Sequence, residues 1–584
     1  MQPSSDHPTD AEGSNALRRY GPIVAIVAVI AIVIGLVVAG GGDDDDDEAA
    51  ATVDDTAEET TSEDGSETDT GSTELEGAIS WTRAQDEGLD VTFPDTCDPE
   101  TGQAAIPYFF AAECYADVED NGGATSQGVT EDTITVVYYS DPETDAVLDF
   151  ITGPIQNDDT QAQVEETVQG FMELFGTYYQ SYGRTVDLKI VRGSGASTDE
   201  VAARADAQAA IEEHKPFAAF GGPTLTTAWA DEMAAAGVVC ISCGSTGSEE
   251  YRDARAPHLI GIGMAGSQIN LHGAEYISTK LAGKPAEFGG DDVAGQERVF
   301  GHVYISSSEE SERSAGQFAD MLSERGVELA EQLSYQLDPG RLPEQATSVI
   351  SKLKESGVTS VIIQADPVAP ANFTQEATAQ EYVPEWVVAG GTLVDTNTFG
   401  RIFDQAQWEH AFGITTNAVP LDPTTTPGFA LYEWFHGSPP PADQTAPILF
   451  PSPSLLHSII QAAGPNLTPE TFRDGLFAVT PTQRSISQPS LSWGDHGLWD
   501  DLDTENDWSG VDDVSEWWWD PTATGPDEIQ REGTGMMRFV AGGKRYLPGE
   551  WDDTVALFDP ADTVTLFDEP PADERAPEYP SPAG

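Results

Sequence analysis

The chain has 584 residues, of which 101 are Asp or Glu and 26 are Lys or Arg, for a formal net charge of −75. At roughly 150 residues per domain this allows two to four domains, and a hydrophobic fraction of 39% is ordinary for a folded protein. Nucleic acid is excluded as a partner because phosphate contacts need concentrated Lys and Arg, and anionic lipid headgroups fit no better. Four cysteines are too few for a disulfide scaffold and enough for two bridges.

Residues 21–40 run GPIVAIVAVIAIVIGLVVAG without a charge. At ~1.5 Å per residue this spans a bilayer core of ~30 Å, so one N-terminal transmembrane helix is expected. Arg18 and Arg19 precede it and Asp43 to Asp47 follow, so the short tail 1–20 stays in the cytoplasm and the bulk is exported. A cleaved signal peptide ending at Val37-Val38-Ala39 is the alternative, but the apolar run is long for one. No cysteine directly follows it, which argues against a lipoprotein anchor. Residues 41–77 hold 16 Asp or Glu and no Lys or Arg, and read as a disordered acidic linker.

Residues 78–130 form an extension in which Cys97 and Cys114 sit among Gly, Pro and Asp, and an exported protein is expected to bridge them. From residue 131 short apolar runs alternate with amphipathic stretches. ITVVYY (134–139), VDLKIV (186–191), FAAFGG (217–222), VVCIS (238–242) and HLIGIGM (258–264) read as strands, separated by helices over about 161–182, 199–214 and around Trp229 and Met233. The plan then repeats, with strands HVYIS (302–306), SVIIQA (360–365) and EWVVAGG (385–391) among helices. The expected fold class is α/β, two doubly wound parallel-sheet lobes with a ligand cleft at their junction. The first lobe is placed at 131–264, the second with its crossover at 265–420, and a return to the first at 421–480. There LTPETFRDGLF carries the cap Thr468 and Pro469 at the first helical position. Residues 481–584, rich in Pro, Gly and Trp, are set apart as a C-terminal extension.

Several local patterns compete with this reading. Gly261-Ile-Gly-Met-Ala-Gly266 satisfies G-x-G-x-x-G, but no acidic residue stands at the end of the next strand to take a ribose. Cys240-x-x-Cys243 admits a bridge, a redox pair, a zinc half-site or two packed small residues. No second C-x-x-C or histidine cluster supports zinc and no helix N-terminus supports a thioredoxin site, so the bridge is expected. Asp501, Asp503, Glu505 and Asp507 alternate like calcium ligands, but Asn506 replaces the turn glycine. Trp517-Trp518-Trp519 suits core packing better than a stacking platform. Neither H-E-x-x-H nor G-x-S-x-G occurs, and no catalytic constellation, metal site or cofactor is assigned.

Residues 131–477 resemble the type I periplasmic binding-protein family, in particular its leucine/isoleucine/valine-binding branch. The most specific stretch is AGVVCISCGSTGSEE (236–250), supported by 303–318, VIIQADP (361–367) and GPNLTPETFRDGL (464–476). The resemblance implies a non-enzymatic, membrane-tethered extracellular receptor that closes on a small polar solute, an amino acid or amide among the options, and hands it to an ABC permease. It places Gly244, Ser245 and Thr246 on the binding loop of the first lobe, with Thr224 on the neighbouring loop. In the second lobe it points to Glu310, Asp366 and Thr392, where the usual Tyr-Gly pair and ammonium-binding carboxylate are replaced. A surface sensor of the same fold is the alternative, and an exported enzyme a more distant one. Hydroxyls on such loops also cap helices, the plainer role they would otherwise serve.

Overall fold

A computed structural model describes residues 77–155, 157–243, 247–306, 309–390, 393–502, 504 and 506–584. The expected tail, transmembrane helix and nearly all of the acidic linker lie outside these residues. Among the described residues no helix is long and apolar enough to cross a membrane.

The first sheet contains β1 (Thr133–Ser140), β2 (Thr185–Arg192), β3 (Ala218–Phe220), β4 (Val239–Ile241) and β5 (Leu259–Ile260), in the order β2-β1-β3-β4-β5 and parallel throughout. Its central strands are continuous apolar runs because helices cover both faces. β1 shows this by alternation. Val137 and Tyr139 join a cluster with Ala203, Ala207 and Trp229, while Val136 and Tyr138 face the opposite core. The first of those clusters is built on α2 (Glu200–His214) and α3 (Ala228–Ala235). Preceding them, α1 (Gln161–Tyr178) starts at a Thr160–Gln163 capping box and buries Val168, Phe171, Leu174 and Phe175.

The chain then crosses into a second sheet of eight strands. These are β6 (Phe300–Ile305), β7 (Leu329–Tyr335), β8 (Ser360–Gln364), β9 (Glu385–Ala389), β10 (Ala411–Thr415), β11 (Val514–Pro526), β12 (Glu532–Phe539) and β13 (Arg545–Tyr546). Their order is β12-β11-β10-β9-β8-β6-β7, with β13 also on β11. The centre is parallel. α4 (Gly266–Tyr276) and α5 (Glu309–Glu324) contribute to one face cluster, α6 (Leu342–Glu355) and α7 (Ala369–Ala379) to the other. β11 and β12 complete the sheet in antiparallel register.

This edge corrects the reading of 481–584 as an extension, because residues 514–546 belong to the second sheet. Trp517 and Trp519 lie in one face cluster and Trp518 in the other, as the period of a strand requires. Three adjacent tryptophans hid the alternation, since a strand buried on both faces carries no polar phase in its sequence.

Between the two stretches of the second unit the chain returns to the first. α8 (Pro451–Ala463) and α9 (Pro469–Ala478) bring Leu456, Ile459, Ile460, Phe472 and Leu476 onto the β1 face that bears Val136 and Tyr138. The backbone thus passes between the sheets three times, near 261–265, 416–421 and 509–513. Gly261 pairs with Ser509, and its N–H donates to the Trp508 carbonyl at 2.8 Å, tying the first crossing to the third. Buried Arg545 links the others, donating from Nε to Asp513 Oδ1 and from Nη2 to the Thr416 carbonyl, both at 2.8 Å. The glycine-rich run 261–266 is therefore a crossing segment.

The extension before β1 packs on α1. Cys97 and Cys114 are bonded, with Cα atoms 5.8 Å apart, and Ile106 and Ala111 share a cluster with Phe171, Phe175 and Phe450. Gly102 sits at φ +73°, and a Cβ there would stand 2.2 Å from the Trp81 ring, so only glycine fits.

Candidate functional site

In an open parallel sheet the loops after the strand C-termini carry the binding groups, and here those loops of the two units meet. Ile155 and Leu225, from loops after β1 and β3, share one buried cluster with Leu393 and Val394 from the loop after β9. Val147 and Leu148, on the short helix after β1, pack against the same cluster. A polar contact also joins the units: Arg531 Nη1 donates to the Pro154 carbonyl at 2.9 Å.

Thr224 lies on this seam, half-buried, with its Oγ1 enclosed and without a hydrogen-bond partner in the protein. It does not cap a helix. The hydroxyl that serves α3 is that of Thr226, which accepts from the Ala228 N–H at 3.2 Å. Ser248 does the same for the helix Glu249–Asp253, accepting from Tyr251 N–H. Neighbouring hydroxyls thus take the capping role that Thr224 does not. An enclosed hydroxyl without a partner costs about 1–3 kcal/mol, which a ligand acceptor would recover.

Cys240 and Cys243 are bonded with Cα atoms 5.5 Å apart, at the C-terminal end of β4. Gly244, Ser245 and Thr246 follow directly in sequence and lie outside the described residues, as does Thr392. Glu310 falls in the first turn of α5.

Asp366 behaves differently from the expectation. Its Oδ1 accepts from the N–H groups of Val368 (2.8 Å) and Ala369 (3.0 Å) at the start of α7. Its Oδ2 accepts from the Tyr335 hydroxyl at 2.6 Å. Burial raises its pKa, opposed by these hydrogen bonds. Both oxygens are occupied inside the protein, so Asp366 organises a helix start rather than offering a carboxylate to a ligand.

A carboxylate that the sequence did not single out is Asp395, on the loop after β9. It is 3% exposed, its Oδ2 accepts from the Thr415 hydroxyl, and its Oδ1 has no partner. Burial pushes its pKa up to about 7, opposed by Thr415, while the nearby Glu528 charge adds to the rise. In the sequence it stands just before Thr396, the N-cap of a short helix, and looks like ordinary cap chemistry.

In the acidic run before the third crossing, Asp507 is buried while Asp501 stays exposed. Asp507 accepts from Gln268 Nε2 at 2.8 Å and from Trp499 Nε1 at 2.9 Å, and Asp501 pairs with Arg325 at 3.1 Å. Among the described residues no group of three or more His, Cys, Asp or Glu is arranged to hold a metal ion.

A profile of the periplasmic binding protein family matches residues 146–502. No sequence among the curated proteins matches the chain. Among solved structures, the solute-binding protein of an ABC transporter from R. palustris, in complex with 4-hydroxybenzoate, is 14% identical, covering 69% of this chain and 97% of its own, with a TM-score of 0.46. An ABC transporter substrate-binding protein from Sphaerobacter thermophilus is 12% identical over 72% and 99% of the two chains, with a TM-score of 0.46. A fatty acid ABC transporter substrate-binding protein from Thermomonospora curvata is 14% identical over 74% and 98%, with a TM-score of 0.44.

Proposed function

Because the chain belongs to the periplasmic binding protein family, we propose that it captures a small polar solute between its two sheets and delivers it to an ABC-type permease. The observation that carries this reading is Thr224, whose enclosed Oγ1 has no protein partner on the loop where the two units meet. Hydroxyls and backbone N–H groups at strand ends cradle a carboxylate or another polar head. Gly244, Ser245 and Thr246 are proposed to share this role in the first lobe, with Glu310 and Thr392 opposite. Asp366 is left out because its oxygens are engaged. An amino acid or amide is the proposed ligand class. The apolar run 21–40 is proposed to hold the protein at the cell membrane, N-terminus inside, with the acidic linker carrying the receptor outside.

A thermal-shift screen of the full chain against amino acids, amides, short peptides and sugars tests the reading. A ligand at 100 times its Kd should add ~2.7 kcal/mol of stability. Thr246→Val, which removes a donor and keeps the shape, should then weaken binding by about 5- to 150-fold while leaving the melting temperature of the free protein unchanged. A stabilising solute whose affinity ignores both Thr224→Val and Thr246→Val would place binding elsewhere, and a screen in which no solute class stabilises the chain would contradict the receptor role.

A further inference from the structure

A cavity of about 720 Å³ has neither Thr224 nor any other residue of the proposed solute site in its lining. It is walled by parts of the fold that no solute-capture role requires to form a pocket. Each of the three crossings contributes a residue to it: Ile262, Val419 and Val511. α8 adds Leu455, and Phe450 stands just before that helix. The disulfide-closed loop of the extension adds Tyr108, Phe109 and Phe110, three consecutive aromatic residues that all remain half-buried.

The chemistry of the wall is narrow. No Lys, Arg, His or Asp lines it among the described residues, so an anion finds no fixed partner. Its single carboxylate, Glu113, already accepts from the Thr82 N–H. Several of the polar side chains around it are likewise engaged. Gln461 donates to the Glu113 carbonyl at 3.0 Å and accepts from the Gln180 N–H at 3.1 Å. Thr482 accepts from the Leu491 N–H at 2.7 Å, and Thr426 donates to the Pro423 carbonyl at 2.7 Å. Uncharged glutamine and threonine side chains share the rest of the wall with aromatic and aliphatic ones: Tyr108 and Phe450 meet edge-on at 5.3 Å, and Trp493 and Leu491 line it with them. The acidic linker of this chain is excluded as an occupant, since its 16 carboxylates find no cation here.

We propose that this cavity is a second binding site, separate from the solute cleft, for a neutral and mainly apolar small molecule with an aromatic ring. Its volume falls in the range of about 300–1,000 Å³ typical of small-molecule sites, and rings are the shape that a wall of Tyr, Phe and Trp packs against best. The inference stands on the cavity alone and does not depend on the identity of the cleft solute.

Benzophenone is a neutral aromatic probe that inserts into nearby C–H bonds on irradiation, and mass spectrometry of the full chain then reads where it was held. Adducts should concentrate on peptides containing Tyr108–Tyr115 and Pro451–Gln461. Ala112→Phe, which fills the space from the extension side, should lower labelling of those peptides by about tenfold relative to adducts elsewhere on the same chain. Phe109→Ala removes a ring without adding bulk, and should lower it in the same direction should the filled variant fold poorly. Thr224→Val, in the cleft, should leave it unchanged. Labelling spread over the chain without enrichment at these peptides, or enrichment that survives both Ala112→Phe and Phe109→Ala, would overturn the proposal.

Discussion

A single oxygen separates the roles of the hydroxyls around the cleft. Thr226 and Ser248 spend theirs on helix N–H groups, whereas Thr224 Oγ1 is enclosed with nothing to bond. Thr224→Val keeps the volume and removes the enclosed polar atom, so the free protein should be as stable as the native or slightly more so. Affinity for the captured solute should fall by about 5- to 150-fold, measured by calorimetric titration. Asp395 supports a pH prediction. Its folded pKa of about 7 lies above the ordinary carboxylate value, so between about pH 4 and 7 the folded chain keeps a proton that the unfolded chain has released. Stability from this group is therefore present at acid pH and lost as pH rises, at about 1.4 kcal/mol per unit. Asp395→Asn should remove that slope, and denaturation curves of variant and native at several pH values should diverge in the variant's favour towards neutrality. The enclosure of the Thr224 oxygen is a property of the fold, and the sequence offered this residue only through the family resemblance. It did not separate Asp366 from Asp395, because cap and orphaned carboxylate differ only in what surrounds them after folding.

At the level of elements, alternating apolar runs and amphipathic stretches placed the strands of the first sheet and β6, β8 and β9 of the second, but not β10. They failed for β11, where burial on both faces erased the period that reveals a strand. Two further features tie elements together in ways that substitution can read. Buried Arg298 grips Glu385 at the start of β9 through two 2.8 Å hydrogen bonds, and the same carboxylate accepts from Ser360 on β8 and from the Phe288 N–H. Glu385→Leu would leave a guanidinium buried without its partner and should destabilise the second unit by about 3–5 kcal/mol in chemical denaturation. The Cys97–Cys114 bridge, both cysteines of which the sequence paired, spans a separation of 17 residues. Replacing both with Ser should remove about 3 kcal/mol of constraint. The loss should appear as faster hydrogen exchange over residues 79–116, with the two sheets still protected.

The whole molecule is organised by its three crossings, knitted through the Gly261–Ser509 pairing and Arg545. The first was visible as a glycine-rich run that mimicked a nucleotide fingerprint. The third was hidden in a tail read as an extension, because membership of a sheet depends on pairing with β10, about a hundred residues earlier in the chain. On the proposed receptor role, solute filling the seam would change the angle between the two units. All four cysteines are bonded in pairs, so two introduced ones can be labelled selectively. Val201, 80% exposed on α2, and exposed Glu355 on α6 place one label on each unit. Pulsed electron-spin distance measurement on the Val201→Cys/Glu355→Cys full chain, with and without a solute from the thermal screen, is the most direct test. Solute capture between the units predicts a saturable shift of the distance distribution that Thr224→Val moves to higher solute concentration; an unchanged distribution at saturating solute would contradict it.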